Sequence, residues 1–221
     1  MALFVTFEGT EGCGKSTQIA LLSEYLKTEG SPYVLTKEPG GSKVCRKIRE
    51  LLLNSENSDI TPKAELLLYA ADRAQHVEEI VAPALSEGIT VLCDRYLDAT
   101  VAYQGYGRGL DLELIGSLNA LSSGGLAPDL TFLIDCPVEI GIGRALKRAE
   151  SEGSREIRFE NEHLSFHERV KKGYMAIAAA FPERVVVVDG SASVEVLHKR
   201  ILEIYLNKIA SSSAGSERER S

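Results

Sequence analysis

The sequence predicts an α/β fold, a parallel β-sheet with helices on both faces. Three observations carry the prediction. Short apolar runs rich in β-branched residues alternate with longer segments of helical period. The runs are apolar throughout rather than at every second residue, as befits strands covered on both faces. The first run leads through a glycine-rich turn straight into a helix.

The elements follow in order. "LFVTF" at Leu3–Phe7 is the first strand. Helix Lys15–Glu29 follows, with Ile19, Leu22 and Leu26 on one side and Gly30 placed to end it. "YVLT" is the second strand. Lys43–Leu53 reads as a short helix and Pro62 to about Ser86 as one long helix, with Ala64, Leu67, Leu68 and Ala71 on a face. "TVLCD" (90–94), "LTFLID" (130–135) and "RVVVVD" (184–189) complete the strands. Helices Asp111–Ser123, Val138–Ser151, His163–Phe181 and Ser193–Lys208 fill the gaps. The polar stretch 149–161 joins two helices and reads as a loose surface loop, a kind of segment that often carries function. Residues 1–209 are expected as one domain and 210–221, small and polar, as a disordered tail.

Composition excludes several classes. The net charge of −7 leaves no basic domain, so a nucleic-acid partner is not expected. Cys13, Cys45, Cys93 and Cys136 are widely spaced, which argues for reduced thiols and a cytoplasmic setting rather than a disulfide framework or metal cluster. The first apolar run is too short for a signal peptide, and no run is long enough to cross a membrane.

Gly9 to Ser16, "GTEGCGKS", matches G-x-x-x-x-G-K-[ST] in full, between a strand and a helix. Glycines let successive backbone N–H groups turn toward phosphate oxygens, and the helix N-terminus adds its positive end. Lys15 supplies a charge to the β- and γ-phosphates and Ser16 a hydroxyl for Mg²⁺. Cys13 reads as a small filler. A nucleotide switch would add D-x-x-G and N-K-x-D; the first is missing, and "NKIA" (207–210) lacks the aspartate of the second.

Further clusters lie where open parallel sheets bind ligands, on loops after strands. "EPGG" places Glu38 and Pro39 on an exposed turn; alone it reads equally as an ordinary turn. Asp94 ends the third strand, where a phosphate-loop enzyme keeps a carboxylate on the Mg²⁺ side. Arg95 follows, either a bridge between phosphates or an ion pair at a strand end. Tyr69 and Arg73 stand four apart on one helix face; they suit a base and a phosphate, or a buried ring beside a surface cation. His163 and His167 are also four apart, and without a third ligand they read as a solvated helix face.

The phosphate loop with "EPGG", "AADR", "DRY" and "AYQG", in this order and spacing, resembles the bacterial thymidylate kinases from about Leu3 to the final helix. The resemblance implies a three-layer P-loop kinase fold on a five-stranded parallel sheet, a homodimer, and transfer of the ATP γ-phosphoryl to dTMP with Mg²⁺. It implies ATP contacts from Gly9, Thr10, Glu11, Gly12, Cys13, Gly14, Lys15, Ser16, Thr17 and Arg144. Arg73 would meet the thymine, Tyr69 would stack on it, and Thr100 and Gln104 would line its edge. Tyr103 would crowd the sugar 2′ position and Glu11 would lie near the 3′-hydroxyl. Glu38, Pro39, Arg49 and Arg95 would surround the acceptor phosphate and metal.

Thr10 to Cys13 hold no basic residue, the pattern in which the family draws its catalytic arginine from a lid. The lid offers Arg155 and Arg158, and Arg158 is the closer match to the family's Arg-x-Glu motif, although Ile157 stands where aspartate is usual. Lys37 stands where arginine is commoner before "EPGG" and loses the bidentate fork. The nearest alternatives are another nucleoside monophosphate kinase and a non-enzymatic nucleotide switch.

Overall fold

A computed structural model describes residues 2–218, and for 212–218 the backbone only. Strands β1 (Phe4–Glu8), β2 (Tyr33–Lys37), β3 (Thr90–Asp94), β4 (Leu130–Asp135) and β5 (Val185–Asp189) form one parallel sheet. Its order is β2-β3-β1-β4-β5. β1 and β3 lie inside the sheet, and their apolar runs are buried throughout. Adjacent β1 residues serve opposite layers. Val5 and Phe7 join Ile19, Leu22 and Leu26 of α1 (Lys15–Thr28) and Leu197 and Ile201 of α9 (Val194–Arg218). Phe4 packs the other way, with Val77, Val81 and Tyr96. The result is three layers, helix, sheet and helix, as the sequence predicts.

The remaining helices are α2 (Lys43–Leu53), α3 (Pro62–His76), α4 (Ala82–Ser86), α5 (Leu97–Thr100), α6 (Leu112–Ser123), α7 (Val138–Glu152) and α8 (Leu164–Ala180). Three differ from expectation. The long helix 62–86 is interrupted by a wide π-type turn at Val77–Val81. Pro83 follows it; its ring displaces a carbonyl one turn back, and widening the helix accommodates that. The stretch after β3 is not a loop. α5 continues into a π-type turn, Val101–Gly107. Its glycines serve close packing, since a Cβ on Gly107 would lie 2.7 Å from the Phe166 ring of α8. α9 runs past the expected end at Lys208 to Arg218, into the segment read as a tail. That segment holds no proline to stop a helix, and the expectation for 219–221 lies outside the described residues.

Candidate active site

The C-terminal ends of β1, β2 and β3 open into a cleft of about 750 Å³. The phosphate loop forms its floor. Lys15 curls back over the loop, and its Nζ donates to the carbonyls of Gly9 at 3.2 Å and Thr10 at 3.0 Å. Gly9 and Thr10 therefore lie beneath the cleft and hold Lys15, while Glu11 to Thr17 line it. Cys13 is buried, as a filler would be. Gly12 has a φ of +62°, and a Cβ there would come within 2.0 Å of the Gly141 carbonyl oxygen. A Cβ on Gly141 would meet the Glu11 carbonyl oxygen at 2.3 Å. The loop is thus docked backbone to backbone on the first turn of α7.

Ser16 Oγ donates to Asp94 Oδ2 at 3.2 Å. A hydroxyl and a carboxylate side by side are hard oxygen donors that suit Mg²⁺ completed by phosphate oxygens and water. No cluster of three or more His, Cys, Asp or Glu side chains suited to a metal occurs among the described residues.

The acceptor side is built from α3 and the turns above β2 and β3. Arg73 is almost fully buried and wholly engaged: Nε donates to Glu38, Nη1 to Asn119 and Nη2 to Thr100, all within 2.9 Å. Glu38 also meets His76 Nδ1 at 2.8 Å, and His76 Nε2 lies 2.6 Å from Thr36 Oγ1. The Glu38–Pro39 peptide is cis. Asp72 Oδ1 accepts from the Gly40 N–H at 3.0 Å. Burial, with the Glu38 charge nearby, raises the Asp72 carboxyl to about 7. α3 thus holds the turn by three side chains: Asp72 on the Gly40 backbone, and Arg73 and His76 on Glu38.

Arg95 has a φ of 70°, rare for a residue with a side chain. Such strain costs about 1–3 kcal/mol and collects where function over-determines the backbone. Arg95 N–H donates to the Phe7 carbonyl, Nη1 to Tyr174 Oη at 3.0 Å and Nη2 to Glu11 Oε1 at 3.3 Å. Its guanidinium lies 4.8 Å from the Tyr103 ring centroid. Tyr103 Oη donates to Glu11 Oε1 at 2.5 Å. Burial alone would raise the Glu11 carboxyl, but His167, Arg95 and Tyr103 outweigh it and hold it near 2. Tyr174 Oη in turn donates to Glu8 Oε2 at 2.7 Å. Burial first, and the Asp98 charge next, push Glu8 up to about 7.

A strand, a phosphate loop, a shared cleft and an arginine fixed at the end of β3 describe a nucleotide phosphotransferase scaffold. The family model "Thymidylate kinase" matches residues 7–201. The chain belongs to the thymidylate kinase family. It is 55% identical to "Thymidylate kinase" of Citrifermentans bemidjiense, over 97% of this chain and 100% of that one. It is 60% identical to the protein of the same name from Geobacter sp. strain M21, over 88% and 87%. A crystal structure of thymidylate kinase from Ehrlichia chaffeensis matches with a TM-score of 0.74 and 33% identity, covering 92% of this chain and 98% of that one.

Most residues that the thymidylate kinase resemblance implies do line the cleft: Lys15, Ser16, Thr17, Glu38, Pro39, Arg49, Tyr69, Arg73, Asp94, Arg95, Thr100, Tyr103, Gln104 and Arg144. The lid arginines do not. Arg158, the closer match to the lid motif, is buried: Nη2 donates to Glu65 at 2.6 Å and Nε to the Leu52 carbonyl at 2.5 Å. In this conformation Arg158 rests on Glu65 and the Leu52 carbonyl rather than standing free at the cleft. Arg155 is exposed and pairs with exposed Glu56 at 2.6 Å. Between them Glu156 takes two bonds from Arg49, which also donates to the Pro39 carbonyl. The lid-side cations facing the cleft are Arg144 and Arg148 on α7.

His167 is a correction. It is fully buried, not solvated, and its Nδ1 lies 3.2 Å from Glu11 Oε2, close enough for an ion pair but off the line of a hydrogen bond. Phe166, Val170, Tyr174 and Ile177 share its helix and are buried, a period that marks an inward face. Sequence reasoning also missed Glu65, which is fully buried on the same face of α3 as Tyr69, Asp72, Arg73 and His76. A carboxylate at position i−4 from Tyr69 and i−8 from Arg73 was the available signal.

Proposed function

We propose that this chain is a thymidylate kinase, transferring the γ-phosphoryl of ATP to dTMP to give dTDP and ADP. The observation that carries the reading is that one cleft joins the phosphate loop to the acceptor residues Arg73, Thr100, Tyr103 and Gln104. The acceptor is a phosphate monoester with a second pKa near 6, so its oxygen is already a nucleophile at neutral pH. No general base is needed. The obstacle is charge: two like unit charges ~4 Å apart repel by ~4 kcal/mol at an effective dielectric of 20.

The chain answers with fixed cations. Lys15 faces the donor phosphates. Arg95, braced by Glu11 and Tyr174, lies between donor and acceptor, and Arg49 and Arg73 support the acceptor side. Ser16 and Asp94 would hold Mg²⁺, which when bound neutralises phosphate charge. Catalysis is then alignment and charge stabilisation as the phosphoryl group moves in line. Arg144 and Arg148 supply standing charge from α7. Arg155 supplies the mobile lid arginine, because its exposed pair with Glu56 is worth only ~0–1 kcal/mol. Lid closure keeps water from the γ-phosphate.

The same reading takes residues 1–209 as one catalytic domain at work in the cytoplasm. It includes a homodimer, supported by exposed Leu67 on α3 and Leu114 and Leu121 on α6. The test is ADP release from ATP and Mg²⁺ with a panel of nucleoside monophosphates and nucleosides. Fast turnover with dTMP and slow turnover with AMP, GMP, UMP and thymidine is expected. Slow turnover with every acceptor refutes the kinase reading.

A further inference from the structure

Among the described residues lining the cleft, Gln104 is the side-chain amide beside Tyr69, Arg73 and Thr100, and an amide has two unlike ends. Its Nε2 donates to Glu65 Oε1 at 2.8 Å. An ionised carboxylate only accepts, so it must face the amide's nitrogen and never its oxygen. Glu65 is itself held from the other side. Arg108 Nε reaches Oε1 at 3.2 Å, Arg108 Nη2 reaches Oε2 at 3.1 Å and Arg158 Nη2 reaches Oε2 at 2.6 Å. Glu65 is fully buried, so neither partner exchanges it for water. With its nitrogen fixed, Gln104 turns its Oε1, an acceptor, toward the cleft.

The geometry points to Glu65 as a specificity-determining positioning residue: it locks the Gln104 amide so that the site accepts pyrimidines carrying N3–H and rejects those with a bare N3. This rests on the dTMP reading and goes beyond it. A 2,4-dioxopyrimidine presents N3–H between two carbonyls and can donate to Oε1. A 4-aminopyrimidine presents N3 as an acceptor, so two lone pairs would face each other and a buried acceptor would be left unpaired. The pair also explains the placement of Arg158. The lid arginine completes the Glu65 clamp, so the base-reading amide and the lid share one buried carboxylate.

The test compares kcat/KM for dTMP and dCMP in wild type, Glu65→Gln and Glu65→Asp. In Glu65→Gln the new amide oxygen goes to the side with the two arginine Nη2 donors, leaving its NH₂ toward Gln104 and giving up the bond from Arg108 Nε. Gln104 then turns its own oxygen inward and presents nitrogen to the base. The dTMP-to-dCMP ratio is expected to narrow by about 10-fold, chiefly through a higher KM for dTMP. Glu65→Asp, still acceptor-only, should lose affinity but keep the ratio. A folded Glu65→Gln with the wild-type ratio overturns the inference. Wild type that discriminates poorly or ignores dTMP overturns the functional reading instead. Where Glu65→Gln melts out, wild type bound to ¹⁵N-labelled dTMP decides. A through-hydrogen-bond coupling between N3 and Gln104 Cδ is expected, and its absence overturns the inference.

Discussion

Which lid arginine moves to the phosphates can be settled by stability and rate measured together. Arg155 has a side chain 73% exposed, paired with Glu56 at 64%. Freeing it costs ~0–1 kcal/mol. Arg158 is 5% exposed, paired with fully buried Glu65 and bonded to the Leu52 carbonyl. Breaking a buried pair by losing one partner costs roughly 3–5 kcal/mol; Arg108 and Gln104 remain on Glu65, so the lower figure applies. A cost of ~3 kcal/mol would leave a released Arg158 populated below about 1%. Arg155→Ala should therefore lower kcat by roughly 10³-fold, the scale of an arginine finger, with Tm unchanged. Arg158→Ala should lower Tm by about 6–12 °C in a chain of this length while keeping kcat at low temperature within about 5-fold. Single-turnover kinetics at 10–15 °C with parallel thermal melts give both numbers. An Arg158→Ala protein that melts like wild type yet loses kcat refutes the argument. So does full activity in Arg155→Ala, which would hand the role to Arg148.

Three further outcomes are expected. Asp72 rises from an ordinary 3.8 to about 7 in the fold, so its contribution is complete below pH 4 and is lost as pH rises through 7. Asp72→Asn should match wild type at pH 4 and exceed it at pH 8 by roughly 4 kcal/mol in urea unfolding, whereas a pH-independent difference contradicts the assignment. Tyr103→Phe removes the bond to Glu11; the dTMP-to-UMP ratio of kcat/KM should fall by roughly 10-fold, and an unchanged ratio would count against a sugar-reading role. Asp94→Asn removes a metal-side charge, so the Mg²⁺ concentration for half-maximal rate should rise by at least about 10-fold, with the rate recovering at high Mg²⁺.

The strands were legible because each is a short, mainly apolar run between turn signals, and the buried threonines within them, Thr6 and Thr131, bond each other across the sheet. The phosphate loop, Asp94 and Arg95 were legible because their spacing is set by local backbone geometry. The partners of Arg158 and the burial of His167 were not. Both are polar residues on or beside the lid, and a polar residue reads as solvated unless its partner is known. Those partners, Glu65 and Glu11, lie 93 and 156 positions away (158−65 and 167−11). For His167 the apolar period of α8 was present in the sequence and outweighed by the polarity of the histidine itself. The π-type turn at Val101–Gly107 was hidden because its glycines look like loop residues while they serve helix contact.

The contact between Gly12 and Gly141 sets where the enzyme can bend. Two backbones meeting without side chains between them act as a weld, not a bearing. The start of α7 cannot tilt without prying open the turn that grips the phosphates. Any swing of the lid must therefore be taken up farther along α7 or beyond it, near Gly153, whose φ of +61° already breaks the helix. A single methyl at position 141 would meet the Glu11 carbonyl and so disturb the phosphate loop from a helix outside it.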